Sequence, residues 1–244
     1  MIKHRYISFV ILLMPITAKA QHKTTHTNML WEEYYNTTNF NKDWSLLSDA
    51  QIRTRDWTKQ WSQILVRSGL NYKINNQIAV TAGFAFFKNA QYSNKELFLK
   101  NEWRPWQEFS YQVRLHKLNF IQRLRTEQRF LQQVTDNEKT HHYQYIFRLR
   151  YRFEFQIPFL ENRIIFLAGN EVLVNPGYLN NSMFFDQNRT FAGVNFKLNQ
   201  STGLQFQYLK ILQWHSNTSV LDDQNIIRIN LLQQFNFRKS HDSK

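Results

Sequence analysis

The chain has 244 residues, with 31 Lys and Arg against 18 Asp and Glu, a formal net charge of +13 and no cysteine. Mean hydropathy is low at −0.57, yet 42% of residues are hydrophobic and 16% aromatic. That combination excludes a helical membrane protein and suits a barrel that is apolar outside and polar inside. The missing cysteines speak against a disulfide-stapled secreted domain. Basic charge spread through the sequence, with no clustered tail, speaks against nucleic-acid binding.

Lys3, His4 and Arg5 form a positive n-region, Ile7 to Ile16 an apolar h-region, and Ala18-Lys19-Ala20 a small-x-small cleavage site. Residues 1–20 therefore read as a cleaved signal peptide. The apolar run is too short to span a bilayer. Gln21, not a cysteine, follows the cut, so no lipoprotein anchor is expected.

Residues 21–28 are a polar lead-in or a weak first strand, and 29–238 are expected to form one barrel domain. Leu30 to Thr37 is a short aromatic strand, followed by turn chemistry at Asn39 to Asp43. Trp44 to Arg53 places Asp49, Gln51 and Arg53 on one face, and Trp61 to Ile74 places Arg67 opposite Ile64, Val66 and Leu70. Asn75-Asn76 is a tight hairpin turn, and the returning strand from Ile78 carries Val80, Phe84 and Phe86 on one side. After a loop at Asn89 to Asn94, Glu96 to Leu115 alternates, with Pro105 expected to impose a bulge or bend. Leu118 to Leu131 sets Leu118, Phe120, Leu124 and Phe130 against Arg123, Arg125, Glu127 and Arg129. Gln132 to Thr140 reads as a polar loop.

The clearest strand is Tyr143 to Phe155. Tyr143, Tyr145, Phe147, Leu149, Tyr151, Phe153 and Phe155 share one face, and Gln144, Ile146, Arg148, Arg150, Arg152 and Glu154 the other. Such period-two alternation, over about twice an ordinary strand length, matches a tilted transmembrane β-strand. Arg163 to Asn175, Asn188 to Leu198, Thr202 to Leu212 and Ile227 to Phe237 continue the pattern, and 239–244 is expected as a periplasmic tail.

The fold expected is an all-β, transmembrane, antiparallel up-and-down barrel of ten to twelve strands, twelve preferred because closed antiparallel barrels take an even number. Connections alternate short and long, so the short ones are assigned to the periplasm and the long ones to the exterior. A secreted soluble β-sandwich is the rival. Against it stand the long strands, the scarcity of Gly and Pro (6 and 4), and a terminal Phe235-x-Phe237 similar to the signal read by barrel-insertion machinery. An arginine facing lipid at mid-membrane costs roughly 2–4 kcal/mol, so the arginine face is assigned to the lumen.

The candidate site is a luminal charge ladder: Arg104, Arg114, Arg123, Arg125, Glu127, Arg129, Arg148, Arg150, Arg152, Glu154, Glu171 and Arg189. Glu102 and Glu108 lie on the same face. Arginine–carboxylate pairs there could cross-link the wall, or the arginine excess could line a passive pore preferring anionic solutes. A lipid A or phospholipid hydrolase at the outer rim, using His141-His142 or His215-Ser216, is the enzymatic alternative, but no nucleophile elbow or HExxH motif occurs. Adjacent histidines on a strand point to opposite faces, so no metal site is expected, and no cofactor. Trp44, Trp57, Trp61, Trp103, Trp106 and Trp214 are read as interfacial girdle residues.

Three stretches carry a family resemblance: Trp103-Arg104-Pro105-Trp106-Gln107, Arg123-Leu124-Arg125-Thr126-Glu127-Gln128-Arg129-Phe130, and Phe185-Asp186-Gln187-Asn188-Arg189. The chain from about Trp31 to Phe237 resembles the bacterial outer-membrane barrel family known as domain of unknown function 2490. The resemblance implies an outer-membrane barrel of a Gram-negative bacterium and no assigned activity. The partners expected are outer-membrane lipid and lipopolysaccharide, the insertion machinery through Ile227 to Phe237, and small anionic solutes.

Overall fold

The computed structural model describes residues 23–93, 96–135, 138–178, 184–215 and 220–237. The expected signal peptide at 1–20 and tail at 239–244 lie outside the described residues. Eleven strands account for nearly all of the rest: β1 Lys23–Asn39, β2 Trp44–Arg55, β3 Gln60–Lys73, β4 Ile78–Ser93, β5 Glu96–Leu115, β6 Leu118–Thr135, β7 Glu138–Phe159, β8 Ile164–Val174, β9 Phe185–Lys197, β10 Thr202–His215 and β11 Val220–Asn236. They close into a single barrel in which each strand pairs with its sequence neighbours. A soluble sandwich is thereby excluded.

Alternation in the sequence becomes an inside-out distribution of side chains. The outward positions of β7, Tyr143, Tyr145, Tyr151 and Phe155, are exposed, whereas Arg148, Arg150 and Glu154 are buried. Trp103 and Phe109 on β5 are 40% and 44% exposed, while Glu102 between the strands' inner faces is 1% exposed. A soluble domain buries its aromatics and exposes its charges. Here closure satisfies the strand edges, and the pleat alone sorts the two faces. Cross-strand aromatic pairs tile the exterior, including Phe86 with Trp103 (ring centroids 4.4 Å) and Phe120 stacked on Phe155 (4.9 Å). Outward polar groups pair laterally, as Thr126 Oγ1 does in donating to Gln107 Oε1 at 2.7 Å.

Three turns at one end share a single device. Asn41, Asn75 and Asn199 each accept, through Oδ1, the backbone N–H groups two and three residues later at 2.8–2.9 Å. The asparagine amide thus replaces a missing backbone acceptor and fixes the hairpin without glycine. This explains how so long a β-chain manages with so few glycines.

Several expectations are corrected. The stretch 21–28 does not supply a separate strand, because its second half runs straight into Leu30 to Thr37 as β1. The count is eleven, within the ten to twelve expected but not the twelve preferred. The even-number constraint of an all-antiparallel barrel does not apply, because β1 pairs with β11 in parallel, in unbroken register from Lys23↔Val220 to Asn39↔Asn236. Pro105 does not shift the register of β5. The ladder to β6 skips Arg104 and Pro105 without changing register, while the ladder to β4 runs through both, so the missing N–H falls where no bond is made. The stretches expected as loops at Asn89 to Asn94 and Gln132 to Thr140 are largely strand extensions of β4, β6 and β7. Their side chains are polar on both faces, which hides the alternation. At that end β8 is followed by a 3-10 turn at Pro176–Tyr178.

The parallel seam makes a direct prediction in a chain with no native cysteine. Thr25 Oγ1 donates to Asp222 Oδ1 at 3.1 Å, and Asn39 Nδ2 donates to Asn236 Oδ1 at 2.7 Å. Thr25→Cys/Asp222→Cys and Asn39→Cys/Asn236→Cys should each oxidise to a disulfide, read as a mobility shift on non-reducing gels. One antiparallel register could bring together at most one of these pairs, so failure of either cross-link would contradict the eleven-strand closure.

Candidate functional site

The inward positions of β5 to β9 build one charge network. Strand register by itself would be unfavourable, because it sets Arg125 opposite Arg150 and Arg123 opposite Arg152, and like charges directly opposed repel. Diagonally placed carboxylates resolve the conflict. Glu127 receives Arg150 Nη1 at 2.6 Å and Arg104 Nη1 at 3.1 Å, with Arg148 Nη1 at 3.9 Å. Glu171 receives Arg123 at 2.7 Å and Arg150 at 2.9 Å, with Arg189 at 3.5 Å. Each of these two carboxylates therefore anchors three guanidinium groups drawn from several strands.

Smaller pairings complete the network. Glu102 binds Arg104 at 2.5 Å and Arg129 at 2.6 Å. Glu108 binds Arg125 through both Nε and Nη2 at 2.6 Å and lies 3.4 Å from Arg123. Arg148 reaches Asp186 at 2.6 Å, and, apart from the rest, Arg152 donates to Glu154. Of the twelve ladder residues expected, nine share this network, and Arg152 and Glu154 form a separate luminal pair. Arg114 does neither: it is exposed near the β5–β6 turn and donates from Nε to the His116 carbonyl at 3.3 Å. Asp186 joins the network without having been singled out, although it stands in the Phe185-Asp186-Gln187-Asn188-Arg189 stretch.

A second layer of the site is aromatic, and reading tryptophans as girdle residues missed it. Trp106 is 2% exposed, lies on the luminal face and carries the Arg125 guanidinium 4.4 Å from a ring centroid. Arg53 sits 3.8 Å over Trp31, Arg104 3.9 Å over Phe87, and Arg152 4.2 Å over Phe191. Planar stacking holds each guanidinium in a fixed orientation while its edges stay free to donate. The signal that could have found them is parity: Trp106 falls in step with Glu102, Arg104 and Glu108. Two luminal glycines make room for Trp106. A Cβ at Gly69 would stand 2.5 Å, and one at Gly83 2.7 Å, from its indole atoms. Trp103 is outward but mid-strand, whereas Trp44, Trp57 and Trp61 are exposed at strand ends or turns.

A cavity of about 740 Å³ runs along the lumen. Eleven arginines line it, Arg53, Arg55, Arg67 and Arg228 in addition to members of the network, but only four acidic side chains do: Glu33, Glu154, Glu171 and Asp186. The other carboxylates lie behind the guanidinium groups, so the cavity wall is predominantly cationic. At the opposite rim, His141 and His142 are exposed at the start of β7; His215 closes β10, and its side chain is outside the described residues. Among the described residues no group of three His, Cys, Asp or Glu could hold a metal ion.

A family model described as Protein of unknown function (DUF2490) matches residues 28–222. The chain belongs to this family. All three stretches that carried the resemblance contribute to the DUF2490 chain's lumen, through Arg104 and Trp106, through Arg123, Arg125, Glu127 and Arg129, and through Asp186 and Arg189. A solved structure described as the NanC porin in a rhombohedral crystal form is similar at 13% identity and a TM-score of 0.49, covering 84% of this chain and 98% of that one. No curated protein matches.

Removing one partner of a buried pair leaves an uncompensated charge, typically at a cost of about 3–5 kcal/mol. Glu127→Ala and Glu171→Ala should each lower the urea stability of the vesicle-embedded barrel by about that amount. Arg114→Gln, outside the network, should change it by less than about 0.5 kcal/mol. Equal, small effects for all three would contradict the hub assignment.

Proposed function

We propose that this chain is an outer-membrane β-barrel, exported by its signal peptide, whose lumen is a passive pathway preferring small anions. The cationic wall of the luminal cavity carries the reading. Eleven arginines line the cavity with four acidic side chains. Even with Asp49, Glu102, Glu108 and Glu127, which pair with them from behind, the arginines are in excess. They give a low-dielectric tube a positive potential, which concentrates anions and repels cations. The membrane assignment is supported by the belt of exposed aromatics, since a water-soluble barrel would leave an apolar surface far larger than soluble monomers tolerate. Turning only Arg148, Arg150 and Arg152 toward lipid would cost on the order of 6–12 kcal/mol at roughly 2–4 kcal/mol each. That sum rivals the whole stability of a domain.

Phe235 and Phe237 near the end of the chain are exposed at 44% and 67%, consistent with a terminal strand presented to insertion machinery before β11 joins β1. Outer-membrane lipid and lipopolysaccharide are then the surrounding partners. A second reading has its own support. Glu102, Glu127 and Glu171 have side chains only 1–4% exposed, so the network also ties five neighbouring strands together, as a closed structural barrel would require.

Planar-bilayer recordings separate the two. Under a potassium chloride gradient the reversal potential should take the sign of chloride preference. The absence of channel events would favour the structural barrel, and cation preference would contradict the charge argument.

A further inference from the structure

One stretch of the lumen has its cations paired differently. On β5 to β9 the arginines meet carboxylates. On the opposite wall the strand register sets Trp31 between two arginines, Arg53 on β2 and Arg228 on β11, all on the luminal face. Arg53 donates from Nε and Nη2 to Gln51 Oε1 at 3.1 and 2.6 Å, and from Nη1 to Gln63 Oε1 at 2.6 Å. Arg228 donates from Nη2 to Gln207 Oε1. Amide oxygens satisfy these donors, yet they neutralise no charge. Glu33 lies 4.0 Å from Arg228 Nη1 and accepts from Gln51 Nε2 at 2.8 Å.

Two buried donors in this row have no acceptor among the described residues: Trp31 Nε1 and Arg228 Nε. Trp31 is only 4% exposed, so its N–H is not simply solvated at a surface. Unfilled buried donors are rare in folded proteins and call for a partner. Arg53 stacks on the indole at 3.8 Å and Arg189 approaches the same ring to 6.0 Å, adding charge from two further strands. Trp31, Arg53, Arg189 and Arg228 all line the 740 Å³ cavity, whose size falls in the range of small-molecule sites.

We propose that Trp31, Arg53 and Arg228 form an oxyanion-binding site inside the lumen, for small solutes that carry a carboxylate or phosphate group. The unfilled N–H groups supply hydrogen bonds, and the two guanidinium groups supply charge. Among the described residues Arg53 has no carboxylate in ion-pair contact, and Arg228 has only the distant Glu33 at 4.0 Å. Water could fill the donors but would leave the Arg53 charge uncompensated. The proposal deepens the anion-pathway reading and rests on it for its physiological sense, since the site would be the selective station along that pathway.

The test is a binding titration of the folded barrel in detergent, with glucuronate and inorganic phosphate as probes and glucose as the neutral control. Saturable heat or fluorescence change is expected with at least one anion and none with glucose. Arg53→Gln and Arg228→Gln should each weaken the binding about tenfold or more, while Arg114→Gln should leave it unchanged. Arg53→Lys and Arg228→Lys keep the charge, and a smaller loss in them than in the glutamine variants supplies the comparison should the latter fail to give a folded, heat-modifiable band. No saturable binding by the native barrel, or equal binding by all variants, would overturn the site. Binding without conductance would sustain the site and sink the pathway. Anion-selective conductance without saturable binding would do the reverse.

Discussion

Glu127 and Glu171 are the constraint on which the rest of the barrel depends. Eight arginines face inward on β5, β6, β7 and β9, and strand register sets some of them against each other. Without carboxylates on the diagonals, the same alternation that protects the lipid face would force a column of like charges into a narrow lumen. Each of the two glutamates draws three guanidinium groups together across strand boundaries. Charge repulsion is thereby turned into a transverse cross-link, in a part of the structure where hydrophobic burial contributes little.

The aromatic residues inside the lumen follow from the same requirement. A guanidinium that spends one edge on a carboxylate still exposes two flat faces, and an aromatic ring covers a face without competing for hydrogen bonds. Trp106 performs this for Arg125 and requires bare backbone at Gly69 and Gly83 to lie flat against the wall. Charge ladder, stacked rings and glycine spaces thus form one packed unit on one side of the barrel. The Trp31 wall repeats the stacking but meets its arginines mainly with amide oxygens, with Glu33 4.0 Å from Arg228, which gives the lumen two chemically different sides.

The architecture and the assignment of faces were legible in the sequence because a period of two leaves little ambiguity when one face is arginine and the other aromatic. The parity of the ladder residues was legible for the same reason, including the nine that share the network and the separate Arg152–Glu154 pair. Arg114 has the right parity, but its strand is ending there, and parity alone does not report height along the barrel. Trp106 was missed because a tryptophan's apolar body suggests the lipid boundary, although it keeps step with Glu102 and Arg104, and Trp31 reads only as part of a short aromatic strand. Pro105 was overrated as a breaker, because sequence does not reveal which of two flanking ladders needs its N–H. Closure by a parallel β1–β11 pair was not legible at all. Period-two alternation in Lys23–Asn39 and Val220–Asn236 assigns faces, but it does not encode the direction of the partner strand.

The central claim is that three residues apart on β5 the chain switches from an outward-facing indole at Trp103 to a lumen-facing one at Trp106, with the outward face set against lipid as proposed. Fluorescence quenching by brominated acyl chains tests it most directly, on two variants that each retain only one of these tryptophans and substitute phenylalanine for the others. The account predicts strong quenching of Trp103 and little of Trp106 in the folded, vesicle-embedded barrel. Equal quenching of the two, or stronger quenching of Trp106, would contradict it.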